Sequence, residues 1–397
     1  MSWTPRRLDQ LGYLSRGRSR YRPRDAAHLY GGPYPFIQTG DVKHAALYIT
    51  EYQQTYTEAG LEQSRLWPVG TLCITIAANI AETAVLGIEA CFPDSVIGFI
   101  PDQRKADARF VKYLFDAQIQ QRVQRFTQGA AQDNLSQEKL LSIDFDVPED
   151  VNEQKRIADV LSAYDDLVEN NRRRMTLLEE AARQLYLEWF VRLRFPGHEH
   201  TRIINGVPKG WEPKTVGDLC EEVRESVSPD TLKPDTPYIG LEHMPRRSIS
   251  LCEWGTAQTV TSTKHRFREG EILFGKIRPY FHKVGVVFVD GVASSDAIVI
   301  RPVDPKVRGL ILMTVSSDPF IAVTAQTMRE GSKMPRADWR QMKEYRVASP
   351  PSGLLNNFES VIESTVNQLK TLTFLNQKLR AARDLLLPRL MSGEIAV

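Results

Sequence analysis

Cysteine is scarce in this chain, and the four that occur show no CxxC pair and no histidine at the spacing of zinc ligands. A structural metal site or a disulfide framework is therefore not expected, and a reducing cytoplasm suits the chain. The N-terminus is basic but lacks the apolar stretch of a secretion signal. The most apolar window, residues 72–92, is interrupted by polar residues and glycine, so it predicts buried strands and a tight loop, not a membrane span.

The motifs that identify most nucleotide-using and hydrolytic enzymes are also missing. The sequence has no GxxxxGK phosphate loop, no GxGxxG after a strand and no GxSxG elbow. It lacks the Asn-Pro-Pro-aromatic and Asp-Pro-Pro-aromatic tetrapeptides with which amino-methyltransferases hold a flipped base. The histidines are scattered, and the spacing of Glu269 and Glu271 from Lys276 is weak support for a nuclease. We therefore assign no catalytic residue and no metal ligand.

The formal net charge of +2 conceals two basic clusters. The first lies near the N-terminus and consists of Arg6, Arg7, Arg16, Arg18, Arg20, Arg22 and Arg24. The second consists of Lys264, His265, Arg266, Arg268, Lys276, Arg278, His282 and Lys283. Taken alone, either cluster is explained as well by a solvated basic surface as by a nucleic-acid partner.

The chain contains an internal repeat with an offset of about 200 residues. Landmarks return in the same order, and the offset drifts by only a few residues. The matched pairs include Trp3 with Trp211, Pro35-Phe36-Ile37 with Pro237-Tyr238-Ile239, Gly70 with Gly270, Gly87 with Gly285, Gly129 with Gly331, Pro148 with Pro350 and Ala181-Ala182-Arg183 with Ala381-Ala382-Arg383. Such an ordered series indicates two domains of one design.

Each copy ends in a long stretch with helical periodicity. The first has a heptad seam that consists of Ile157, Leu161, Tyr164, Val168, Asn171, Met175, Leu178, Ala182, Leu185 and Trp189. The second seam consists of Phe358, Val361, Thr365, Leu372, Leu375, Leu379, Ala382 and Leu386, and Pro388 is expected to limit the helix. Each helix of about 40 residues would span about 60 Å.

The order of parts predicts that the two helices run antiparallel, with a similar domain at each end and an approximate two-fold axis between them. We predict a first domain over 1–150, a spacer helix over 151–195, a second domain over 205–350 and a second spacer helix over 352–397. Each domain is expected to be mixed α/β with a twisted, largely antiparallel sheet. Strands are expected near Thr71–Ile76, Val284–Val289 and Ala297–Ile300, and a helix at Arg109–Phe126.

Polar loop residues recur at three matching places of the repeat. Bidentate Arg or Lys reads guanine in the major groove, and Asn or Gln reads adenine, so these loops suit a groove reader. The first copy offers Gln38, Thr39 and Asp41, then Asn79, then Gln128, Gln132, Asn134 and Lys139. The second offers Glu242 and His243, then Lys276, Arg278, Tyr280 and Lys283, then Lys333, Arg336 and Arg340. Each residue alone is better explained by loop capping or solvation, but recurrence at the same three places of a repeat shifts the balance towards a groove reader.

Over essentially its whole length the chain resembles the specificity subunit of type I restriction-modification systems. Several segments resemble family signatures in family order. They are 128–135 (QGAAQDNL), 153–158 (EQKRIA), 169–174 (ENNRRR), 188–191 (EWFV), 276–280 (KIRPY), 383–390 (RDLLLPRL) and 392–395 (SGEI).

The resemblance implies two target-recognition domains, each reading one half of a split, asymmetric DNA site. It implies docking of two methyltransferase subunits on the long helices, for which the candidates are Tyr164, Asn171, Arg174, Leu372 and Asn376. Restriction subunits would join this core. The chain itself would be non-catalytic and bind no cofactor, with S-adenosylmethionine, ATP and Mg on its partners. Since residues 333–336 (KMPR) replace 132–135 (QDNL), the two halves should not read the same bases.

Two other classes stay open at this point. A stand-alone enzyme acting on DNA through an unrecognised site would methylate or cleave DNA without partners. A coiled-coil scaffold without DNA contacts would not be retained on DNA at moderate salt, and the loop chemistry argues against it. The recognised bases do not follow from residue types, because readout also depends on side-chain poses and DNA shape.

Overall fold

The computed structural model describes residues 3–77, 80–120, 136–326 and 335–397, with the backbone alone for 119 and 120. The chain divides into two compact units. Unit 1 comprises Met1–Asn170 and Asn376–Val397, and unit 2 comprises Asn171–Leu375. Both boundaries fall inside long helices, so each unit contains a globular part together with a portion of each long helix.

The strands of unit 1 are β1 (Trp3–Arg6), β2 (Gly12–Arg16), β3 (Tyr30–Phe36), β4 (Tyr48–Ile49), β5 (Gln54–Tyr56), β6 (Leu72–Thr75), β7 (Thr83–Leu86), β8 (Val96–Pro101) and β9 (Phe145–Pro148). Five of them form a sheet in the order β2-β8-β6-β7-β4. Its neighbours are antiparallel except for the parallel pair β7 and β4. Strand β1 pairs with β9 and β3 pairs with β5, both antiparallel.

The α-helices that begin in unit 1 are α1 (Leu8–Leu11), α2 (Thr39–His44), α3 (Glu58–Glu62), α4 (Ala108–Phe115), α5 (Gln137–Leu141) and the long α6 (Val151–Tyr186). Single turns of 3-10 or π helix lie at Ala27–Leu29 and Asp116–Gln120. Helix α4 begins where Asp107 accepts hydrogen bonds from the backbone N–H groups of Arg109 and Phe110. The helix expected at Arg109–Phe126 is thus an α-helix only to Phe115, and residues 121–126 lie outside the described residues.

The strands of unit 2 are β10 (Ile203–Ile204), β11 (Val207–Pro208), β12 (Glu212–Thr215), β13 (Cys220–Val223), β14 (Ser226–Val227), β15 (Pro237–Ile239), β16 (Ser250–Leu251), β17 (Gly255–Thr256), β18 (Lys264–Phe267), β19 (Ile272–Gly275), β20 (Val284–Val287), β21 (Gly291–Ala293), β22 (Ala297–Pro302) and β23 (Arg346–Ser349). Two five-stranded sheets have the orders β13-β22-β19-β20-β16 and β14-β18-β21-β15-β17. Strand β10 pairs with β11, and β12 with β23.

The α-helices that begin in unit 2 are α7 (Val216–Leu219), α8 (Arg308–Val315), α9 (Asp318–Gln326), α10 (Trp339–Met342) and the long α11 (Ser352–Met391). A π-helical turn, Leu187–Val191, comes directly after α6. Short 3-10 turns lie at His198–His200, Pro229–Thr231, Leu241–His243, Ala257–Thr259, Pro279–Phe281 and Pro305–Val307.

The central sheet of each unit is covered on both faces. In β6, Leu72 and Ile74 join one buried cluster with Phe110 of α4, whereas Cys73 joins another with Trp67. In β19, Ile272 and Phe274 likewise point to one cluster and Leu273 to the other. Because side chains alternate between the faces of a strand, burial on both faces requires a continuous apolar run. This is why the window 72–92 is so apolar.

The two units have the same pattern of strand pairing. Gly12 pairs with Pro101 in unit 1, and Cys220 pairs with Pro302 in unit 2, at offsets of about 200 residues. All five central strands correspond, including the parallel edge pair, and β12 with β23 corresponds to β1 with β9. The turns correspond as well, since Gly70 and Gly270 both have φ +83°, a conformation that favours glycine. The internal repeat and the mixed α/β class predicted from the sequence are confirmed.

In each unit the long helices lie side by side and antiparallel. In unit 1, Arg383 binds Asp165 and Arg156 bonds to the carbonyl of Val397. In unit 2, the rings of Trp189 and Phe358 lie 5.7 Å apart.

The first predicted seam is confirmed at six members, which are buried: Ile157, Leu161, Val168, Asn171, Met175 and Ala182. The second is wrong at Val361 and Leu375, which are exposed. The buried stripe of α11 consists instead of Phe358, Ile362, Thr365, Leu369, Leu372 and Asn376. Its members are still spaced alternately by four and three residues, but Ile362 takes the place of the adjacent Val361, and Asn376 that of the adjacent Leu375.

Pro388 does not end α11, which continues to Met391. A proline inside a helix removes one N–H donor and disturbs the preceding turn. Here only one further turn remains after the proline, and Leu390 and Met391 are buried in the core of unit 1, which offsets the lost bond.

In the described part of the chain, no single helix is both long and apolar enough to cross a membrane. The bent pair Pro305–Val315 and Asp318–Gln326, at 66°, passes that test jointly by length and composition. Its apolar residues, such as Leu310, Ile311 and Phe320, are buried in the core of unit 2.

Candidate nucleic-acid interface

The three loops that the sequence singled out in the second copy meet in unit 2. The backbone N–H of Arg278 donates to the carbonyl of Pro335 at 3.0 Å, and that of Ala337 donates to the carbonyl of Lys276 at 2.8 Å. The Lys283 ammonium donates to the carbonyl of Leu241 at 2.5 Å. Residues 241–243, 276–283 and 335–340 therefore form one surface, which we call the loop cluster.

The middle loop of this cluster is tightly constrained. Arg278 and His282, at φ +50° and +57°, flank the 3-10 turn Pro279–Phe281. Left-handed backbone is costly for residues with a Cβ and is found where the surroundings impose it, often at functional sites. The result is that Arg278 and Tyr280 point outward, with Tyr280 52% exposed.

His282 fixes the end of this loop to the body of unit 2. Its ring is buried, and Nε2 bonds to the carbonyl of Ser316 just after α8, while Nδ1 lies 3.5 Å from an Asp318 carboxylate oxygen. Burial lowers the pKa of His282, against the bond to Ser316, which raises it. The neutral ring with its proton on Nε2 is the form that suits this site.

The cations of the loop cluster differ in how they are held. Lys276 donates to the carbonyl of Ser295 at 3.0 Å, and burial lowers its pKa. Arg336 pairs with Asp296 at 3.1 Å, and Arg340 pairs with Asp338 at 2.9 Å. Among the residues that the structure describes, Arg278 has no carboxylate partner, and its guanidinium lies 5.7 Å from the Phe281 ring centre. Arg278 is therefore the predicted reader with a guanidinium available for a ligand.

In unit 1 the matching elements are present with other side chains. Gln38 and Thr39 lie at the start of α2, and the Gln38 side-chain amide donates to Gln54 at 2.6 Å. Asp41 accepts from the backbone N–H of Gln38 at 2.7 Å, and at the same place in unit 2 His243 accepts from that of Gly240 at 3.0 Å.

The chemistry of Asp41 and His243 is therefore that of loop capping. Lys139 is exposed on α5, after the capping residue Ser136. The structure shows no convergence of Lys139 with Gln38 and Thr39 among the described contacts. Five further candidates lie outside the described residues: Asn79, Gln128, Gln132, Asn134 and Lys333.

Comparison with known proteins identifies the family of the first half. The model of the type I restriction modification DNA specificity domain matches residues 2–180. Residues 2–180 belong to this family. For these residues the recognition made from the sequence is confirmed.

The specificity-domain likeness extends beyond the matched residues. The chain is 22% identical over 420 residues to the type I restriction enzyme MjaIX specificity subunit of Methanocaldococcus jannaschii, covering 100% of this chain and 94% of that protein. It is 30% identical over 147 residues to the EcoDI specificity subunit of Escherichia coli, covering 36% of this chain and 32% of that protein. The fold matches the S subunit from M. genitalium with a TM-score of 0.60 at 14% identity, covering 98% and 96% of the two chains.

Two cations near the loop cluster, Arg246 and Arg224, were not predicted from the sequence. Arg246 lies with its guanidinium 4.1 Å from the Phe281 ring centre and lowers the pKa of Lys283, after the larger effect of burial. Arg224, at the end of β13, pairs with Glu222 at 2.6 Å and also acts on Lys276. Arg224 could have been predicted from the repeat, because it occupies the position that corresponds to Arg16. Arg16 was selected from the sequence only as a member of the first basic cluster.

The docking candidates on the long helices differ in accessibility. Asn171, Leu372 and Asn376 are buried in the helix seam, Tyr164 is half-buried, and Arg174 is exposed. Burial makes the first three packing residues between the long helices, so their docking role stays a prediction. Large exposed apolar side chains lie elsewhere on the helices: Leu167, Leu177, Val361, Leu375 and Leu385.

The described parts of the chain contain no candidate metal centre. No group of three His, Cys, Asp or Glu side chains is placed to hold a metal ion within the described ranges. Burial raises the pKa of the Cys73, Cys91, Cys220 and Cys252 thiols, which makes them poor nucleophiles.

Proposed function

We propose that this chain is the DNA-recognition subunit of a type I restriction-modification complex. Each unit reads one half of a bipartite, asymmetric site in double-stranded DNA, and the long helices dock two methyltransferase subunits. The observation that carries the proposal is the loop cluster of unit 2, in which Arg278, Tyr280, Arg336 and Arg340 are presented outward around one surface. Such a constrained set of Arg and aromatic side chains suits base and phosphate contacts in a groove.

The exposed apolar residues of the long helices support the docking of partner subunits. Leu177 is 69% and Leu385 is 73% exposed, on helices that otherwise bury their apolar seam. Covering each such side chain is favourable by about 1–3 kcal/mol. Arg174 and Tyr164 are the docking candidates with accessible surface, and a partner face that buries the leucines would include them.

The same proposal assigns the remaining chemistry to other chains. S-adenosylmethionine would bind the methyltransferase subunits, and ATP and Mg would serve the restriction subunits. This chain would bind none of them and would act in the cytoplasm. A stand-alone enzyme is disfavoured by the missing motifs, and a bare scaffold is disfavoured by the loop cluster.

Assembly is tested by co-purification with a methyltransferase subunit of a type I system from the same host. We expect a complex of two methyltransferase subunits to one specificity chain, because exposed apolar helix surface makes the lone chain a poor monomer. Arg346→Ala, an exposed cation on β23 that is not among the docking candidates, serves as a control that should assemble normally. A monodisperse lone chain that ignores this partner would contradict the docking proposal.

Recognition is tested by mapping methylated adenines in a host strain with and without this chain. We expect one bipartite motif with two different halves to be present only when the chain is expressed. If the purified chain alone methylated DNA, it would be an enzyme. If the chain were not retained on DNA at moderate salt, it would be a scaffold.

A further inference from the structure

The two units carry their positive charge on different segments of the same scaffold. In unit 2 the loop after β19, residues 276–283, contains Lys276, Arg278 and Lys283. The matching loop of unit 1, residues 76–82 (IAANIAE), contains no cation. The segment after β2, residues 16–24 (RGRSRYRPR), contains five arginines and no acid, whereas the matching residues 224–233 (RESVSPDTLK) contain two cations and two acids.

The arginine segment of unit 1, residues 16–24, leaves the sheet beside the loop that comes after β6. The backbone N–H of Gly17 donates to the carbonyl of Val96 at 2.9 Å, and that of Ile76 donates to the carbonyl of Ser95 at 3.0 Å. Both segments therefore begin beside the same end of β8, the end at which Val96 starts the strand. In unit 2 the corresponding bond, from Lys276 N–H to the carbonyl of Asp296 at 2.7 Å, marks the start of the loop cluster.

The backbone of the arginine segment is fixed to the domain. The Arg18 N–H donates to the carbonyl of Phe92 at 3.1 Å, its carbonyl accepts from the Ser64 hydroxyl at 2.8 Å, and Ser19 is buried. Gly17 is required, since a Cβ there would collide with the carbonyl oxygen of Phe92. A segment anchored in this way presents its side chains in set directions, unlike a loosely solvated basic loop.

The outward side chains of this segment are cationic and unneutralised. Arg16, Arg18 and Arg20 are exposed, and none has an ion pair with a carboxylate of the described residues, whereas Arg24 pairs with Asp94 at 2.8 Å. Arg65 adds a further guanidinium, 4.1 Å from the Trp67 ring centre and 3.1 Å from the Tyr13 hydroxyl. Bonds to Ser15 and Arg65 lower the pKa of that Tyr13 hydroxyl, and Arg18 adds to the effect.

We infer that unit 1 holds the DNA backbone through Arg16, Arg18 and Arg20, and that this segment replaces the basic loop with which unit 2 meets DNA. The inference rests on the proposed DNA recognition and adds that the repeats engage DNA through different elements. Phosphates are the chemistry that three neighbouring exposed guanidinium groups recognise. The two half-site readers would thus differ in backbone contacts as well as in bases.

The test is the salt dependence of binding to a duplex of mixed sequence, of about 40 base pairs so that both units can bind, by the full chain with its methyltransferase partner. Each lost phosphate contact reduces the slope of log K against log salt by about 0.9, so Arg16→Ala/Arg18→Ala/Arg20→Ala should reduce it by about 2 to 3. Replacing all three by lysine should keep the slope. The control is Arg104→Ala, an exposed arginine beyond the opposite end of β8, which should leave it unchanged.

The outcomes separate this inference from the proposed function. An unchanged slope for the alanine triple overturns the inference, and the proposed function still stands if Arg278→Ala weakens cognate binding. If neither variant affects DNA binding, both fail. Loss of methyltransferase binding with an unchanged slope makes the segment a protein contact and overturns the inference. Should thermal unfolding show that the triple is misfolded, single replacements of Arg18 and Arg20, each expected to lower the slope by about one, decide the question.

Discussion

Arg278 combines a strained backbone with a side chain that is available for a ligand. A φ of +50° at a residue with a Cβ is held here by the hydrogen bond to Pro335 and by the turn that ends at the buried His282. At the repeat position of His282, unit 1 has the buried Ala81 at φ +67°. The scaffold therefore imposes the turn in both units, and the residues before it set the chemistry.

Arg278→Ala should weaken binding to the cognate half-site by about 1 to 3 kcal/mol if the guanidinium grips a guanine. Alanine keeps the Cβ and so leaves the backbone strain in place, which isolates the side chain. The measurement is a titration of cognate and mismatched duplexes with the assembled complex, with Arg346→Ala as the control. Equal weakening on all sequences with a salt slope lower by about one would assign Arg278 to phosphate, and unchanged binding on every duplex would remove it from the site.

The composition of the unit 2 loop cluster was predicted from the sequence in part, and its role in reading DNA stays a prediction. Lys276, Arg278, Tyr280, Lys283, Arg336 and Arg340 come from two separate loops, and the structure brings these loops together. The sequence could not show that Asp41 and His243 cap their own loops, because capping depends on local backbone direction. Arg246 was missed because it lies three residues beyond a candidate position, and only the fold brings it over Phe281.

At the scale of elements, the long helices and the central strands were predictable from periodicity. Helix α6 starts at the predicted residue, and the strands β6, β20 and β22 lie within two residues of their predicted bounds. The stripe of α11 was misjudged, since Val361 and Ile362 are adjacent apolar residues and sequence cannot say which faces the seam. Strand order was not predictable, because it depends on contacts between distant segments.

Glu359 links α11 to the start of α8 and has a consequence for stability. Its two carboxylate oxygens accept from the backbone N–H groups of Gly309 and Leu310, each at 2.7 Å. Burial raises its pKa to about 7, although these two bonds lower it. A carboxyl with a raised folded pKa binds protons more readily in the folded state, so its contribution is full below the unfolded value of 4.5 and is lost as pH rises through about 7.

We therefore expect the free energy of unfolding of unit 2 to fall between about pH 4.5 and pH 7, with Glu359 contributing on the order of 2 kcal/mol to the decline. Glu359→Gln cannot ionise and should flatten this part of the profile. Glu344→Gln, an exposed glutamate of unit 2 that does not act on the pKa of Glu359, should leave it unchanged. Denaturant titrations across this pH range measure the effect, and identical profiles for wild type and Glu359→Gln would show that another group controls it.

At the scale of the whole molecule, the internal repeat was the feature most readily predicted from the sequence. The function of each copy was the least predictable. Matched landmarks such as Gly70 and Gly270 proved to be the same turn, because the same backbone geometry demands the same residue. The exchange of charge between the segments after β2 and after β6 is also visible in the sequence. The sequence alone does not show that the two segments lie together, because only the folded sheet brings both to the same end of β8.

The long helices lead to a last prediction, because both unit boundaries, after Asn170 and after Leu375, fall inside them. If the helices set the spacing between the half-sites, seven residues inserted at both boundaries should lengthen each helix by about 10 Å while nearly preserving the seam. At about 3.4 Å per base pair, the methylated motif should then keep both halves and gain about three unspecified bases. Four-residue insertions, which rotate the remainder of the helix by about 40°, and a seven-residue insertion in α6 alone should both disturb the helix pair and lower activity. Methylation mapping of an active double-insertion variant decides the matter, since an unchanged spacing would mean that the recognition units are flexibly attached and that the helices do not act as a ruler.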